Sequence, residues 1–102
     1  MSKSTVADNP GTSRYEISVD GVLAGFTSYV DEGEVLVFVH TEVFEEFAGQ
    51  GFAAILVTGA LDDVRAKDRL IRPLCPYIAG FLGKHPDYQN LVAGYLDVKA
   101  RR

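Results

Sequence analysis

Few side chains in this sequence can do chemistry: one cysteine, Cys75, two histidines, His40 and His85, and a glycine pair, Gly49 and Gly51, with Gln50 between them. A thiol can act as nucleophile or pass on a proton, and an imidazole can take one near neutral pH. The glycine turn offers something different. Where a helix begins just after such a turn, its first N–H groups have no partner inside the helix and carry partial positive charge. Glycine lets the chain turn sharply and lets a ligand reach the backbone without meeting a Cβ. Main-chain donors from Ala48 through Gly49, Gln50 and Gly51 to Phe52 would then form a phosphate cradle. The turn is too short for a Walker loop and lacks the three-glycine spacing of a dinucleotide fold. The two histidines and one cysteine, at long and unpatterned spacing, make no recognisable metal-ligand set.

Each group also has a plainer reading. Cys75 lies where a strand is expected to stop at Pro76. It is either a small buried residue, as free cysteine usually is, or a reactive thiol helped by the helix that Cys75-Pro76-Tyr77 leads into. His40 closes the apolar run 35–39 and either acts as a general base or bonds neighbouring backbone. Strand order alone leaves open whether the two meet.

These groups need a scaffold. A chain of 102 residues has room for one domain, and 47% apolar or aromatic with 24% charged residues is a globular rather than a disordered composition. A domain of this size buries roughly 60–70% of the surface its unfolded chain exposes, enough to fold without cross-links. One cysteine permits no internal disulfide and fits a reducing compartment, so a cytoplasmic protein is expected. The net charge of −4 argues against a nucleic-acid partner, which would need clustered cations. No apolar run approaches the ~20 residues that span a bilayer, and no apolar stretch behind a basic start marks a secretory signal. No membrane partner is expected, and the chain should be a monomer or weak dimer.

Residues 1–13, small and polar with an Asn9-Pro10-Gly11 turn signal, read as a flexible tail, and 97–102 as a short basic one. A single domain spans 14–96. Alternation of Tyr15, Ile17 and Val19 predicts a strand over 14–19, Asp20-Gly21 supplies a tight hairpin turn, and strands follow over 22–30 and 34–43. The unbroken run 35–39 suits a central strand covered on both faces. The period then changes. Phe52, Ile55, Leu56, Leu61 and Val64 predict a helix over 51–67, where Gly59 would permit close packing on the sheet. A short strand over 69–75, a short helix over 77–83 and an amphipathic helix over 87–96, anchored by Tyr88 and Leu91, complete the order. The crossover should set 34–43 and 69–75 in parallel. The expected class is mixed α/β (α+β): antiparallel strands, then a βαβ unit and short C-terminal helices.

Four segments in this order, His40-Thr41-Glu42-Val43, Gly49-Gln50-Gly51-Phe52-Ala53, Pro73-Leu74-Cys75-Pro76-Tyr77 and His85-Pro86-Asp87-Tyr88, resemble the small stand-alone members of the GNAT N-acetyltransferase superfamily. The resemblance covers most of the chain. It implies an acyl-CoA N-acyltransferase fold, with the glycine turn on the pyrophosphate of acetyl-CoA, the co-substrate, and the pantetheine arm where the parallel strands splay. It marks Val43, Ala48, Gly49, Gln50, Gly51, Phe52 and Ala53 as cofactor-binding, and sets Cys75 near the thioester. Tyr77, Phe81 and Lys84 would line the cofactor's side, Tyr77 on pantetheine and Lys84 towards a phosphate. Alternatively, Tyr77 and Phe81 pack on the sheet with Lys84 in solvent. Two positions depart from the pattern: Glu46 stands where the superfamily has Gln or Arg, and Gln50 where small members have Arg. Backbone donors survive both changes.

Acetyl transfer to an amine requires that the amine lose a proton, the thioester carbonyl be polarised and the departing thiolate be reprotonated. Cys75, as nucleophile or acid, and His40, as base, are the candidate catalytic residues, with a lining role still open for Cys75. The implied function is acetyl-CoA-dependent N-acetylation of an unidentified amine, small molecule or protein, without a metal. The alternatives are a non-catalytic acetyl-CoA or CoA-binding module or sensor, and a structural domain whose glycine turn binds nothing.

Overall fold

In the computed structural model, which describes residues 3–94, five strands form one sheet in the order β1-β2-β3-β4-β5. They are Ser4–Asn9 (β1), Arg14–Val19 (β2), Val22–Asp31 (β3), Val35–Val43 (β4) and Leu70–Pro73 (β5). A 3-10 turn, Glu45–Phe47, and the helix Phe52–Ala66 (α1) connect β4 to β5; the helix Pro76–Lys84 (α2) and a 3-10 helix, Pro86–Leu91, follow. The first four strands pair antiparallel, and β5 runs parallel to β4 from Val35 opposite Leu70 to Phe38 opposite Pro73. The mixed α/β class and the parallel crossover are as expected.

Local chemistry accounts for much of this. Asp20 and Gly21 both take positive φ, 51° and 83°, the conformation of a two-residue hairpin turn with the right twist. Gly59 sits where a Cβ would come within 2.8 Å of the Val6 Cβ, so its absence lets α1 lie close on β1. Buried faces of both helices, Leu56, Val57, Leu61 and Val64 of α1 with Ile78 and Leu82 of α2, meet Tyr15, Ile17, Phe38 and Ile71 of the sheet in one core.

Three expectations need correction. Of the tail expected over 1–13, the described part, from residue 3 on, is not a tail: residues 4–9 form an edge strand on β2, joined to it by the Pro10-Gly11 turn. Its support comes from residues distant in sequence. Asp8 accepts from the Tyr29 hydroxyl (2.6 Å) and lies 3.5 Å from Lys67 Nζ, while Val6 packs on the core. The helix expected over 87–96 is a 3-10 helix ending at Leu91, and Leu96 lies outside the described residues. There the backbone leaves the helix because Val92 bridges Ile71 in parallel and the Ala93 N–H bonds the Ile71 carbonyl (2.9 Å). Tyr88 and Leu91 do anchor it: Leu91 is in the core, and the Tyr88 hydroxyl donates to Asp62 (2.6 Å), which with burial pushes its pKa up to about 12. Finally, β4 is covered on its second face only in part, at Val37, which is buried, and not at Val39. The buried residues of both helices belong to one core on one side of the sheet, and Val39 is 42% exposed.

A polar network ties α1 to the first strands. The Tyr15 hydroxyl donates to Asp63 (2.6 Å), and Lys67 pairs with the same carboxylate (2.8 Å). Partial burial alone would raise the Asp63 pKa, but hydrogen bonds from Lys67 and Tyr15 outweigh it and hold the carboxyl below its ordinary 3.8. A carboxyl lowered by folding contributes stability above its unfolded pKa and loses it as pH falls through the folded value. Thermal melts should therefore fall steeply as pH drops below about 4, with a shallower acid limb in Asp63→Asn; equal acid limbs would refute this source of acid lability.

Candidate active site

The glycine turn has the geometry its residues foretell. Gly49 and Gly51 take φ of 75° and 82°, and a Cβ on either would meet nothing within 4 Å, so the backbone there faces open space. Gly51 is the N-cap of α1, and no side chain caps the helix. The first helical bond runs from the Ile55 N–H to the Gly51 carbonyl. Among the described residues, the N–H groups of Gly49, Gln50, Gly51, Phe52, Ala53 and Ala54 bond no backbone carbonyl, leaving donors at the positive end of a 15-residue helix. Ala48 does not belong to this set. Its N–H is spent on the Glu45 carbonyl (3.1 Å), which closes the 3-10 turn before the glycines. The Phe47 and Phe52 rings meet edge-on, 6.1 Å apart, and brace the turn from both sides, while Val43 packs against the core. Glu46 is exposed.

Beside the turn the sheet opens. β5 pairs with β4 only as far as Phe38, whereas β4 continues five residues to Val43 with no partner on that edge among the described residues. Proline removes a donor at Pro73, the last residue of β5, and the Cys75 N–H makes the final link across, to the Phe38 carbonyl (2.9 Å). On its other edge, β4 carries a bulge. Ser28 faces His40 and Tyr29 faces Phe38, so Val39 is the extra residue. The bulge lets both Phe38 and Thr41 face the helices.

A cleft of about 370 Å³ leads away from the turn, lined by Ala54, Pro76, Tyr77, Gly80, Phe81, Lys84 and His85. Ala54 lies in the first turn of α1, so cradle and cleft adjoin. Tyr77 is 41% exposed at the cleft rather than packed on the sheet. Phe81 is buried and stacks on His85 with ring centres 4.1 Å apart, while Lys84 is exposed.

Cys75 is the N-cap of α2, with Pro76 in the first helical position. It is 2% exposed, and its Sγ lies 3.1 Å from Thr41 Oγ1. His40 points to the opposite face. There its ring lies 6.0 Å from that of Phe26, and Nε2 is 3.3 Å from Glu42 Oε1. Alternation along β4 sends Thr41 towards Cys75 and therefore His40 away from it. The two candidates do not form a pair.

Residues 14–91 match a protein-family model described as GCN5-related N-acetyl-transferase. The chain belongs to that family. Among solved structures it resembles Ard1 from Thermoplasma volcanium, with a TM-score of 0.50 and 21% identity over 58% of this chain and 41% of that one. The likeness is one of fold, and the match spans less than half of that protein. A search of curated proteins finds no match.

In this member of the GCN5-related N-acetyltransferase family the site combines features legible in the sequence with others that are not. Thr41 stands out in the sequence only as part of the His40–Val43 segment, and Thr27 belongs to no motif. The available signal was a lone threonine among the core residues of β3: Thr27 is fully buried, with its hydroxyl 2.9 Å from that of Thr41. The Val39 bulge left no mark in the sequence, because an extra residue in a strand has no composition of its own.

Proposed function

We propose that this acetyltransferase takes its acetyl group from acetyl-CoA and gives it to an amine, the two entering the gap beyond Phe38 from opposite sides. The observation that carries the reading is the run of unbonded N–H groups from Gly49 to Ala54 at the head of α1, beside a strand gap. Those donors suit a pyrophosphate. Val43, Gly49, Gln50, Gly51, Phe52 and Ala53 would hold the phosphate end, Tyr77 and Phe81 would flank the pantetheine arm, and Lys84 would answer a phosphate. Glu46 contributes nothing to this, and backbone donors do the work that a cation at that position would share.

The opposite facing of Cys75 and His40 favours separate jobs. An attacking cysteine needs an adjacent base, and Cys75 has a hydroxyl beside it instead. We therefore assign direct attack by the amine. His40 takes the proton the amine loses, the new C–N bond replaces the C–S bond, and Cys75 gives its proton to the departing CoA sulfur. Solvent receives the proton held by His40 and returns one to Cys75, so the sum is amine plus thioester giving amide plus thiol. The acceptor is an amine, small or protein-borne. The small stand-alone subgroup, a cytoplasmic setting and a monomer or weak dimer complete the proposal.

Incubation of the protein with acetyl-CoA and a panel of amines tests it. N-acetyl product is expected, with His40→Ala lowering kcat/KM by about 10²-fold, the usual scale of general-base catalysis. Cys75→Ser should lower kcat about tenfold with little change in acetyl-CoA binding. Raised melting temperature with acetyl-CoA but no product on any amine would favour the binding module or sensor instead. No stabilisation at all would leave a structural domain.

A further inference from the structure

A line of two hydroxyls, Thr27 buried and Thr41 half-buried, ends on the single cysteine. Thr27 in β3 faces Thr41 in β4 across the strand pair, and their Oγ1 atoms are 2.9 Å apart. Thr41 Oγ1 is in turn 3.1 Å from Cys75 Sγ. Thr27 is fully buried, and Cys75 nearly so. Burying the Thr27 hydroxyl where valine would fill the same space costs stability unless it is bonded, and its side-chain partner is Thr41.

Hydroxyls can both donate and accept, and they rotate freely. With the thiol protonated, Cys75 donates to Thr41 and Thr41 to Thr27. With the sulfur deprotonated, Thr27 donates to Thr41 and Thr41 to the sulfur. No heavy atom moves between the two arrangements. The backbone adds a second constraint, since the Cys75 N–H is tied to the Phe38 carbonyl on the same strand that carries Thr41. Cys75 is thus held to β4 at two points, one on each side of the Val39 bulge.

We propose that Thr41, backed by Thr27, is a positioning residue for Cys75 in acetyl transfer: it aims the S–H while the proton is present and donates to the sulfur once the proton has gone to CoA. This rests on the reaction proposed above. Neither threonine need touch a substrate.

Because the chain has one cysteine, its infrared spectrum holds one S–H stretch, and loss of a hydrogen bond moves that band to higher frequency. Thr41→Val is expected to move the band and to lower kcat about tenfold, with KM for acetyl-CoA within about twofold. Thr41→Ser should restore both. Thr27→Val should shift the band less in the same direction, and it serves if Thr41→Val does not fold. An unmoved band in the valine variant, an unchanged kcat in Thr41→Val, or a serine variant no better than valine would overturn the proposal. The spectrum is read without substrate. A parent protein that binds no acetyl-CoA in calorimetry would therefore sink the functional reading and the kinetic claim, while the band would still decide whether Thr41 bonds the thiol.

Discussion

Gly49→Glu is expected to weaken acetyl-CoA binding by at least about 100-fold, equivalent to about 3 kcal/mol. Two effects combine. Gly49 has φ of 75°, where an L-residue costs roughly 1–2 kcal/mol, and the new carboxylate would occupy the open space in front of the unbonded donors. A negative charge there would take the place of the proposed pyrophosphate at the positive end of α1. The Gly49→Ala variant separates the two effects. It carries the same backbone strain without the charge and should bind within about tenfold of the parent. Calorimetry on folded samples of all three proteins decides the matter. A glutamate variant that binds like the parent would show that the turn is not the anion cradle.

The second large effect concerns folding. Gly25 in β3 lies so close to β4 that a Cβ would press deep into the Glu42 carbonyl oxygen and come within 3.0 Å of the Val43 Cα. Both are backbone atoms, which a rotamer change cannot move aside. Gly25→Ala must therefore push the two strands apart where β4 approaches the glycine turn. Overpacking on this scale costs about 3 kcal/mol, which for a domain of this size lowers Tm by roughly 15 °C. The damage should extend to the site, because β4 carries Thr41 and Val43 and sets the start of the 3-10 turn. A melt within about 2 °C of the parent would show that the strands can separate at little cost, contrary to the close approach.

The two glycines also differ in how they could be found. Gly49 stands between an apolar strand and a helical repeat, and its role follows from local order alone. Gly25 sits in the middle of a strand, where its sequence neighbours say nothing of Glu42, seventeen residues on. The same divide separates the candidates for chemistry. Cys75-Pro76 reads directly as the entry to a helix, whereas the line from Cys75 through Thr41 to Thr27 needs strand register. A single bulge at Val39 sets which residues of β4 face the helices, so counting along the strand from Phe38 would misplace Thr41. The edge strand Ser4–Asn9 leaves little trace in the sequence for a related reason. Its residues alternate weakly, and what holds it is Gly59 of α1, Lys67 at the end of that helix and Tyr29 of β3.

The sequence by itself determined the order of elements from β2 to α2, the parallel crossover, and a turn of free N–H groups at Gly49-Gln50-Gly51. Those follow from periodicity, hairpin residues and glycine conformation, all of which act over a few neighbouring residues. Only the tertiary structure decided that Ala48 is not a free donor, that Cys75 meets Thr41 rather than His40, and that β4 is uncovered at Val39. Each of these depends on which atoms approach across the sheet, which is set by register and packing between distant parts of the chain.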